Sequence, residues 1–374
     1  MKVVHVIESC FPGGAEVFVK GLIIELNKLG VETELWLLTA ASLFSNPEQK
    51  RIDFEQQFIH ELNTAGIEIR HINKRPHKDW SKASKRIREL CRTRKPDIIH
   101  THLENVTFHV VRSFVNQSAQ ILQTIHSTKI HHPFIQCYFI PWFLAGSISI
   151  SEKVSKVVQN QCKALTKNNQ IIHNGIDLDL FASKNRFSGN PVQRIISIGR
   201  LTPAKDHFTL IQSYRSLVDR LISNHENVPM LQIVGEGELR KELRNLVQTL
   251  NLSEFVCFEG IKSNIPQLLE ESDIYVMSSA WEGLSISLIE ALASGIPILA
   301  TNVGSNNEII DDQVNGILIP PKNPLVMADR LYELIHDSKL RITLSRNCHN
   351  KAQHFSIETC AKQHVKLYKN VTSI

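Results

Sequence analysis

Two glutamates, Glu282 and Glu290, stand eight positions apart in W-E-G-L-S-I-S-L-I-E-A-L-A-S-G-I-P-I-L-A-T. Glu282 lies in a polar turn with Gly283, just after the apolar run Ile274 to Met277. Glu290 interrupts a helix-period segment, Ser285 to Ala293, made otherwise of Leu, Ile, Ala and Ser, and a carboxylate buried there needs a partner. The first amides of that helix, near Leu284, Ser285 and Ile286, carry the positive end of its dipole and suit a phosphate. Carboxylates beside them can accept hydrogen bonds from hydroxyls. From these residues alone, a solvated Glu290 on an amphipathic helix stands level with the ligand-binding reading. Phosphate together with hydroxyls is the chemistry of a nucleotide sugar.

Cations occur where a diphosphate needs them. The strand-like run Arg194 to Ile198 leads into G-R-L-T-P-A-K-D, which sets Arg200 and Lys205 beside Gly199 on a strand-to-helix connection. Gly235 opens G-E-G after Met230 to Val234, and E-G at 259 follows Val256 to Phe258. In the first half, Gly13 and Gly14 follow the run Lys2 to Glu8. They lack the G-x-G-x-x-G spacing, so they read either as a tight turn or as a place where a ligand approaches the backbone. Histidines gather at the strand ends of this half: His100 and His102 after Ile98-Ile99, His126 after Q-T-I, then His131 and His132. None has the H-E-x-x-H spacing of a metal site, and His126 is read as the one that contacts ligand.

These residues need a scaffold, and the flanking pattern supplies one. Strand, loop, helix ended by Gly295, and a second apolar run from Pro297 to Thr301 make a right-handed parallel crossover, with its ligand side outside the carboxyl ends of the strands. The same alternation fills the chain. Expected strands at Lys2 to Glu8, Glu32 to Thr39, Ile67 to Ile72 and Ile98 to His102 alternate with helices from about Val17 to Leu29 and Lys78 to Arg92. The turn I-I-H-N-G-I-D at 171–177 and the polar stretch 183–193 mark an interdomain boundary. A chain of 374 residues fits two domains.

Composition is that of a globular protein, with 42% hydrophobic and 21% charged residues and a net charge of +5. The seven cysteines are scattered, odd in number and without C-x-x-C, so neither a disulfide framework nor a zinc site is expected and a reducing cytosol is. The amino terminus lacks the pattern of a signal peptide. Pro133 to Ser151 carries no charge, but Gln136, Pro141, Gly146 and serines interrupt it, so it reads as buried core rather than a membrane span. Between Lys74 and Lys95 ten residues are Lys or Arg against two acidic ones. Lys82, Lys85, Arg86 and Arg88 belong to either a solvated helix face or a surface for an anionic membrane. Nucleic acid is not expected, since the whole chain is only at +5 and the aromatics form no stacking platform.

G-R-L with Lys205, G-E-G, E-G and above all the E-x(7)-E of Glu282 and Glu290, with P-G-G-A-E, H-N-G-I-D and His126 in looser support, closely resemble the retaining nucleotide-sugar glycosyltransferases of family 4. The resemblance covers most of the chain. It implies the GT-B fold, an α/β arrangement of two Rossmann-like doubly wound domains facing across a cleft. An acceptor domain at 1–185, a donor domain at 190–355 and a carboxyl-terminal helix at 356–374 returning to the first domain would follow. It implies that Arg200 and Lys205 bind the donor diphosphate, that Glu290 holds the ribose hydroxyls and that Glu282 contacts the sugar. Gly199, Gly235, Gly283, Leu284 and Ser285 would line the donor site, His126 would face the sugar, and Gly14 would lie near phosphate or acceptor. Leu284 and Ser285 depart from the aromatic and glycine that many relatives carry after E-G. The activity implied is retaining transfer of a hexose or N-acetylhexosamine from a UDP-sugar, with a GDP-sugar second, to a saccharide or lipid-linked acceptor. Cytoplasmic placement on the inner face of the membrane goes with it. No D-x-D pair stands where it could hold a metal against the phosphates, so no metal or other cofactor is expected, with Arg and Lys in its place. A nucleotide-sugar epimerase and a catalytically silent binding protein of the same fold are the rival readings.

Overall fold

The computed structural model describes residues 1–11, 13–45, 49–113, 119–130, 132–181 and 190–372. The chain divides into two compact units, Met1–Gly175 with Ile357–Ile374, and Ile176–Ser356. The division falls inside the H-N-G-I-D turn rather than near 185. His131 and residues 182–189, most of the expected linker, lie outside the described residues.

The first unit holds strands β1 (Lys2–Ile7), β2 (Glu32–Leu37), β3 (Glu68–His71), β4 (Ile98–His102), β5 (Gln120–Ile125), β6 (Gly146–Ser149) and β7 (Asn169–Ile171). They pair in parallel in the order β3-β2-β1-β4-β5-β6-β7. Its helices are α1 (Gly14–Lys28), α2 (Gln49–Thr64), α3 (Trp80–Arg94), α4 (Glu104–Arg112) and α5 (Glu152–Gln161). Right-handed crossovers place α1 and α2 on one face and α3 to α5 on the other, because the strand order runs outward from β1 in both directions. The side chains agree. Val4 and Val6 of β1 pack with Ala83, Ile87 and Leu90 of α3 and with Val106 and Val110 of α4. Three helices, α2, α4 and α5, were not anticipated. In α2 the buried positions Glu55, Phe58 and Leu62 follow a helical spacing that its polar neighbours dilute.

The second unit holds β8 (Arg194–Ile198), β9 (Met230–Val234), β10 (Val256–Gly260), β11 (Ile274–Met277), β12 (Ile298–Thr301) and β13 (Ile317–Ile319), all parallel in the order β10-β9-β8-β11-β12-β13. Its helices are α6 (His207–Ser223), α7 (Arg240–Thr249), α8 (Ile265–Glu270), α9 (Ile286–Ser294), α10 (Asn306–Ile309), α11 (Pro324–His336) and α12 (Ser338–Ala352). The order reverses between β8 and β11, where Ile195 and Ile196 pair with Ile274 and Tyr275, so the loops after these two strands leave the sheet side by side. The last helix, α13 (Ile357–Thr372), belongs to the first unit and packs on α1.

Two expectations are corrected here. The charge-free stretch is core only in part: β6 is buried, whereas Phe134, Tyr138 and Trp142 stand exposed, because the preceding turns form a short irregular helix with one face on α4 and the other in solvent. Cys137 and Cys162 are joined by a disulfide, although the scatter of the cysteines predicted none; the fold, not the spacing, brings β6's two flanks together. Among the described residues, no helix is long and apolar enough to cross a membrane.

Candidate functional site

The loops after β8 and β11 meet in an ion pair. Lys205 Nζ donates to Glu282 Oε1 at 2.5 Å, and Ser279 Oγ donates to the same oxygen at 2.7 Å. Backbone contacts lock the two loops together. Ser278 Oγ donates to the Lys205 carbonyl at 2.9 Å and the Ala280 amide to the Ala204 carbonyl at 2.8 Å. The pair is largely buried, with the two side chains 18% and 11% exposed, so each charge depends on the other more than a surface pair would.

Glycines let the surrounding backbones close in. Gly235, at φ +135°, lies so near the loop after β8 that a Cβ would sit 2.1 Å from the Gly199 carbonyl oxygen. At Gly199 a Cβ would meet the Lys205 side chain at 3.2 Å, so that glycine leaves Lys205 the room to fold back across the loop. Two further glycines do the same work, Gly237, the second glycine of G-E-G, and Gly304, which motif reading passed over. A Cβ on Gly237 would stand 2.3 Å from the Leu201 carbonyl oxygen, and one on Gly304, at φ +55°, 2.2 Å from that of Glu282. Gly304 offered one signal, a glycine three residues beyond the end of the apolar strand β12.

Arg200 is exposed and forms no ion pair among the described residues. Gly283 continues the turn, its carbonyl accepting from the Ser305 amide at 3.1 Å. Leu284 and Ser285 are buried, 6% and 3% exposed, at the start of α9. Ser285 is the N-cap in an extended conformation but gives no side-chain cap; its hydroxyl instead lies 3.2 Å from that of Ser287. The first amides of α9 therefore receive no cap from the Ser285 side chain, which suits an anion site at a helix start.

Glu290 is not the solvated residue that was one of its two readings. It is buried on α9, no hydrogen bond or ion pair among the described residues holds its carboxyl, and burial pushes it up to about 8. Tyr275 lies close enough to feel both Glu282 and Glu290. A carboxyl held this way destabilises the fold wherever it ionises. Its folded value lies above the unfolded one, so stability is lost as pH rises from about 4.5 to about 8. Glu290→Gln, which removes that charge, is expected to raise unfolding stability at pH 8 by on the order of 2 kcal/mol and to leave it unchanged at pH 4. Urea unfolding at the two pH values reads this directly, and equal stability of the two proteins at pH 8 would refute it.

The remaining predicted residues lie in the first unit. Gly14 is the exposed first residue of α1, after Gly13 in an extended conformation. His126, at the end of β5, joins a buried row of imidazoles. Its Nε2 is 3.2 Å from His102 Nδ1, and His102 Nε2 is 3.1 Å from His5 Nδ1. Burial holds His126 down to about 4, His5 to about 3 and His102 well below its usual value, so all three are neutral at pH 7. A neutral imidazole has one N–H and one lone pair. The N–H groups of the row must then all point the same way, and the outer nitrogens, His126 Nδ1 and His5 Nε2, are buried without a hydrogen-bond partner. The alternation of His100 and His102 was legible; His5 and His364, which the sheet and α13 bring beside them, were not. His5, His100 and His102 bring ring nitrogens within 4.8 Å of one another, a possible metal-ligand group among the described residues. Both His100 nitrogens are already engaged, by Tyr368 Oη and Thr124 Oγ1 at 2.7 Å each. Lys82, Lys85 and Arg88 project from α3 into solvent, and Arg86 pairs with Glu89 at 3.0 Å.

Comparison with known proteins covers nearly the whole chain. Residues 12–180 match the family described as Glycosyltransferase Family 4, and residues 182–353 match Glycosyl transferases group 1. An Escherichia coli UDP-Gal:alpha-D-GlcNAc-diphosphoundecaprenol alpha-1,3-galactosyltransferase is 25% identical over 289 residues, 70% of this chain and 72% of its own length. A Campylobacter jejuni N-acetylgalactosaminyltransferase acting on a diphospho-undecaprenol-linked saccharide is 30% identical over 206 residues, 53% of this chain and 52% of its own. Among solved structures, Anabaena HepE in complex with UDP and glucose superposes with a TM-score of 0.83 at 19% identity, over 100% of both chains, which is a likeness of fold.

Proposed function

From a chain that belongs to the family 4 glycosyltransferases, with their two Rossmann-like domains of GT-B fold, we propose an enzyme that moves a hexose or N-acetylhexosamine from a UDP-sugar to a lipid-linked saccharide with retention. The observation that carries this reading is the Lys205–Glu282 pair at the point where the strand order of the second unit reverses. It sets a cation for the diphosphate and a carboxylate for sugar hydroxyls on adjoining loops, beside an uncapped helix start.

Each part has a chemical task in the transfer. As the sugar–phosphate bond lengthens, negative charge grows on the departing diphosphate while the sugar ring gains oxocarbenium character. Arg200 and Lys205, with the first amides of α9 after Gly283, Leu284 and Ser285, would stabilise the charge on the leaving group. Donor binding would draw Lys205 from Glu282 toward phosphate and free Glu282 for the sugar hydroxyls. Glu290, buried and unpaired, would take the ribose hydroxyls as its missing hydrogen-bond partners. Gly199 and Gly235 would admit the donor close to the backbone, and Gly14 and His126 would serve the sugar and acceptor from the first unit. As a neutral imidazole, His126 would act by hydrogen bonding rather than as a cation.

A UDP donor is favoured by the E. coli relative, and a lipid-linked acceptor by both it and the C. jejuni relative, whose acceptors are diphosphoundecaprenol-linked. An acceptor of that kind would bring the enzyme to a membrane surface, and Lys82, Lys85, Arg86 and Arg88 on α3 would supply attraction to anionic lipid. With two cations and a helix dipole at the diphosphate, transfer would need no metal. Incubation with UDP-hexoses and UDP-N-acetylhexosamines, a lipid-linked acceptor and EDTA is expected to yield glycosylated product with the anomeric configuration kept. Loss of activity in EDTA, regained with a divalent cation, would overturn the metal-free account. Product formed without any acceptor would replace the transferase by an epimerase.

A further inference from the structure

The segment that the sequence assigned to the core presents five aromatic rings on one surface. Trp142 is 86% exposed, Phe134 76% and Tyr138 67%, with Phe143 at 40% and Phe139 at 36%. Scattered exposed hydrophobics are ordinary, but a contiguous aromatic patch of this kind on a globular protein marks a surface that something covers. Phe134, Tyr138 and Trp142 follow one another at four-residue steps and so share one side of their short helical turns. Gln136, Cys137 and Ile140 between them point inward and are buried. The rings gather in pairs: Phe134 and Tyr138 lie 5.8 Å apart, Phe139 and Phe143 5.2 Å.

The patch is held firmly. The Gln136 and Gln123 amides exchange hydrogen bonds of 2.9 and 3.1 Å in the interior, and Cys137 is bonded to Cys162 beyond α5. Its neighbours define what it fits. Trp80 at the start of α3 packs against Phe108 of α4 with ring centroids 6.0 Å apart, and Phe108 against Phe139 at 6.2 Å. The basic helix and the aromatic turns thus flank α4 on the same face of the sheet, so their solvent sides point the same way. On α3 the exposed side chains include Lys82, Lys85, Arg88 and Arg92. From Pro133 to Ser151 there is no charge of either sign.

We propose that this face, the aromatic turns at 134–143 beside the cations of α3, docks on an anionic lipid bilayer, with Trp142, Tyr138 and Phe134 entering the interfacial layer. Tryptophan and tyrosine settle at the level of lipid headgroups, and lysine and arginine alongside them meet the anionic phosphates; a lipid surface is the partner that satisfies both chemistries over one flat face. The inference rests on the proposed lipid-linked acceptor for its purpose and on the exposed rings for its substance. Attraction by α3 alone would be an electrostatic hold that salt removes; the rings add an apolar insertion that salt leaves in place.

Vesicles of phosphatidylcholine with and without phosphatidylglycerol test it on the full chain. The parent is expected to sediment with the anionic vesicles, and its tryptophan emission to be quenched by lipids brominated near the headgroup end of the acyl chain. Trp142→Phe should keep binding and lose most of that quenching. Trp142→Ser with Tyr138→Ser should weaken binding by roughly tenfold or more, while Lys82→Gln with Lys85→Gln should weaken it mainly at low salt. An unchanged melting temperature and an unchanged rate on a water-soluble acceptor show that the ring variants are folded. That soluble assay also separates the two readings, because it tests transfer without a membrane. The proposal is overturned if the parent ignores anionic vesicles, if quenching does not depend on Trp142, or if the ring variants instead abolish a concentration-dependent dimer formed without lipid.

Discussion

Lys205→Met is expected to lower kcat by roughly tenfold to a hundredfold, the scale of removing one preorganised charged contact at developing negative charge. Methionine is the substitution to use. Gly199 lies against the Lys205 stem, with its Cβ position 3.2 Å from that side chain, so an unbranched replacement keeps the packing and removes only the cation. The loss has two sources that the geometry separates. One is the missing charge at the diphosphate, and the other is Glu282, which loses its cation and keeps the Ser279 hydroxyl in a site where its side chain is 11% exposed. Glu282→Gln in the Lys205→Met background relieves the second and not the first. If the Lys205 charge acts on the leaving group, the double variant recovers stability while kcat stays low. Arg200→Ala is the matching control. That side chain is exposed and unpaired, so its loss should also cost roughly tenfold in turnover with no change in melting temperature. Wild-type kcat in both single variants would remove the two cations from the mechanism.

The contact on which this prediction rests joins residues 77 positions apart, and no local pattern contains it. What the sequence carried was its setting: glycines at strand ends, cations on one connection, carboxylates on another, and the parallel crossovers that bring connections to a common edge. Gly199 and Gly235 could be singled out because they sit in G-R-L and G-E-G. That the Gly235 backbone touches the Gly199 carbonyl oxygen follows only from the pairing of β8 with β9. Glu290 shows the other limit. A glutamate among Leu, Ile and Ala reads alike whether it faces water or a binding site, and only burial without a partner tells them apart. The aromatic turns misled for the same reason, since an uncharged run has one composition in a core and on an exposed apolar surface. Neighbouring α4 covers one side of those turns and leaves the other open. Cys137 and Cys162 meet because β6 lies between them and α5 turns back toward it.

Acid is expected to unfold the first unit before the second. His5, His100, His102 and His126 are buried together with His364 of α13, and burial holds every one below its ordinary value, to about 3 for His5 and about 4 for His126 and His364. Their mutual repulsion, once charged, acts in the same direction. The folded value lies below the unfolded one, near 6.5, so the unfolded chain binds more protons throughout the interval between them. Stability contributed by these groups is complete above about 6.5 and is lost as pH falls toward 4. Each such proton tilts the unfolding free energy by about 1.4 kcal/mol per pH unit. Several acting together should give a slope well beyond that of a single group. His207 is the comparable histidine of the second unit, also held down to about 3, and Glu290 there opposes it, since lowering the pH relieves a buried carboxylate. Urea titrations between pH 7 and pH 4.5, followed by emission in variants that keep only buried Trp36 for the first unit or only exposed Trp281 for the second, should show the first transition moving steeply with pH and the second much less. A first-unit transition independent of pH over this range would mean that the imidazoles are not held neutral by burial. In that case the neutral hydrogen-bonding role given to His126 would fail with it.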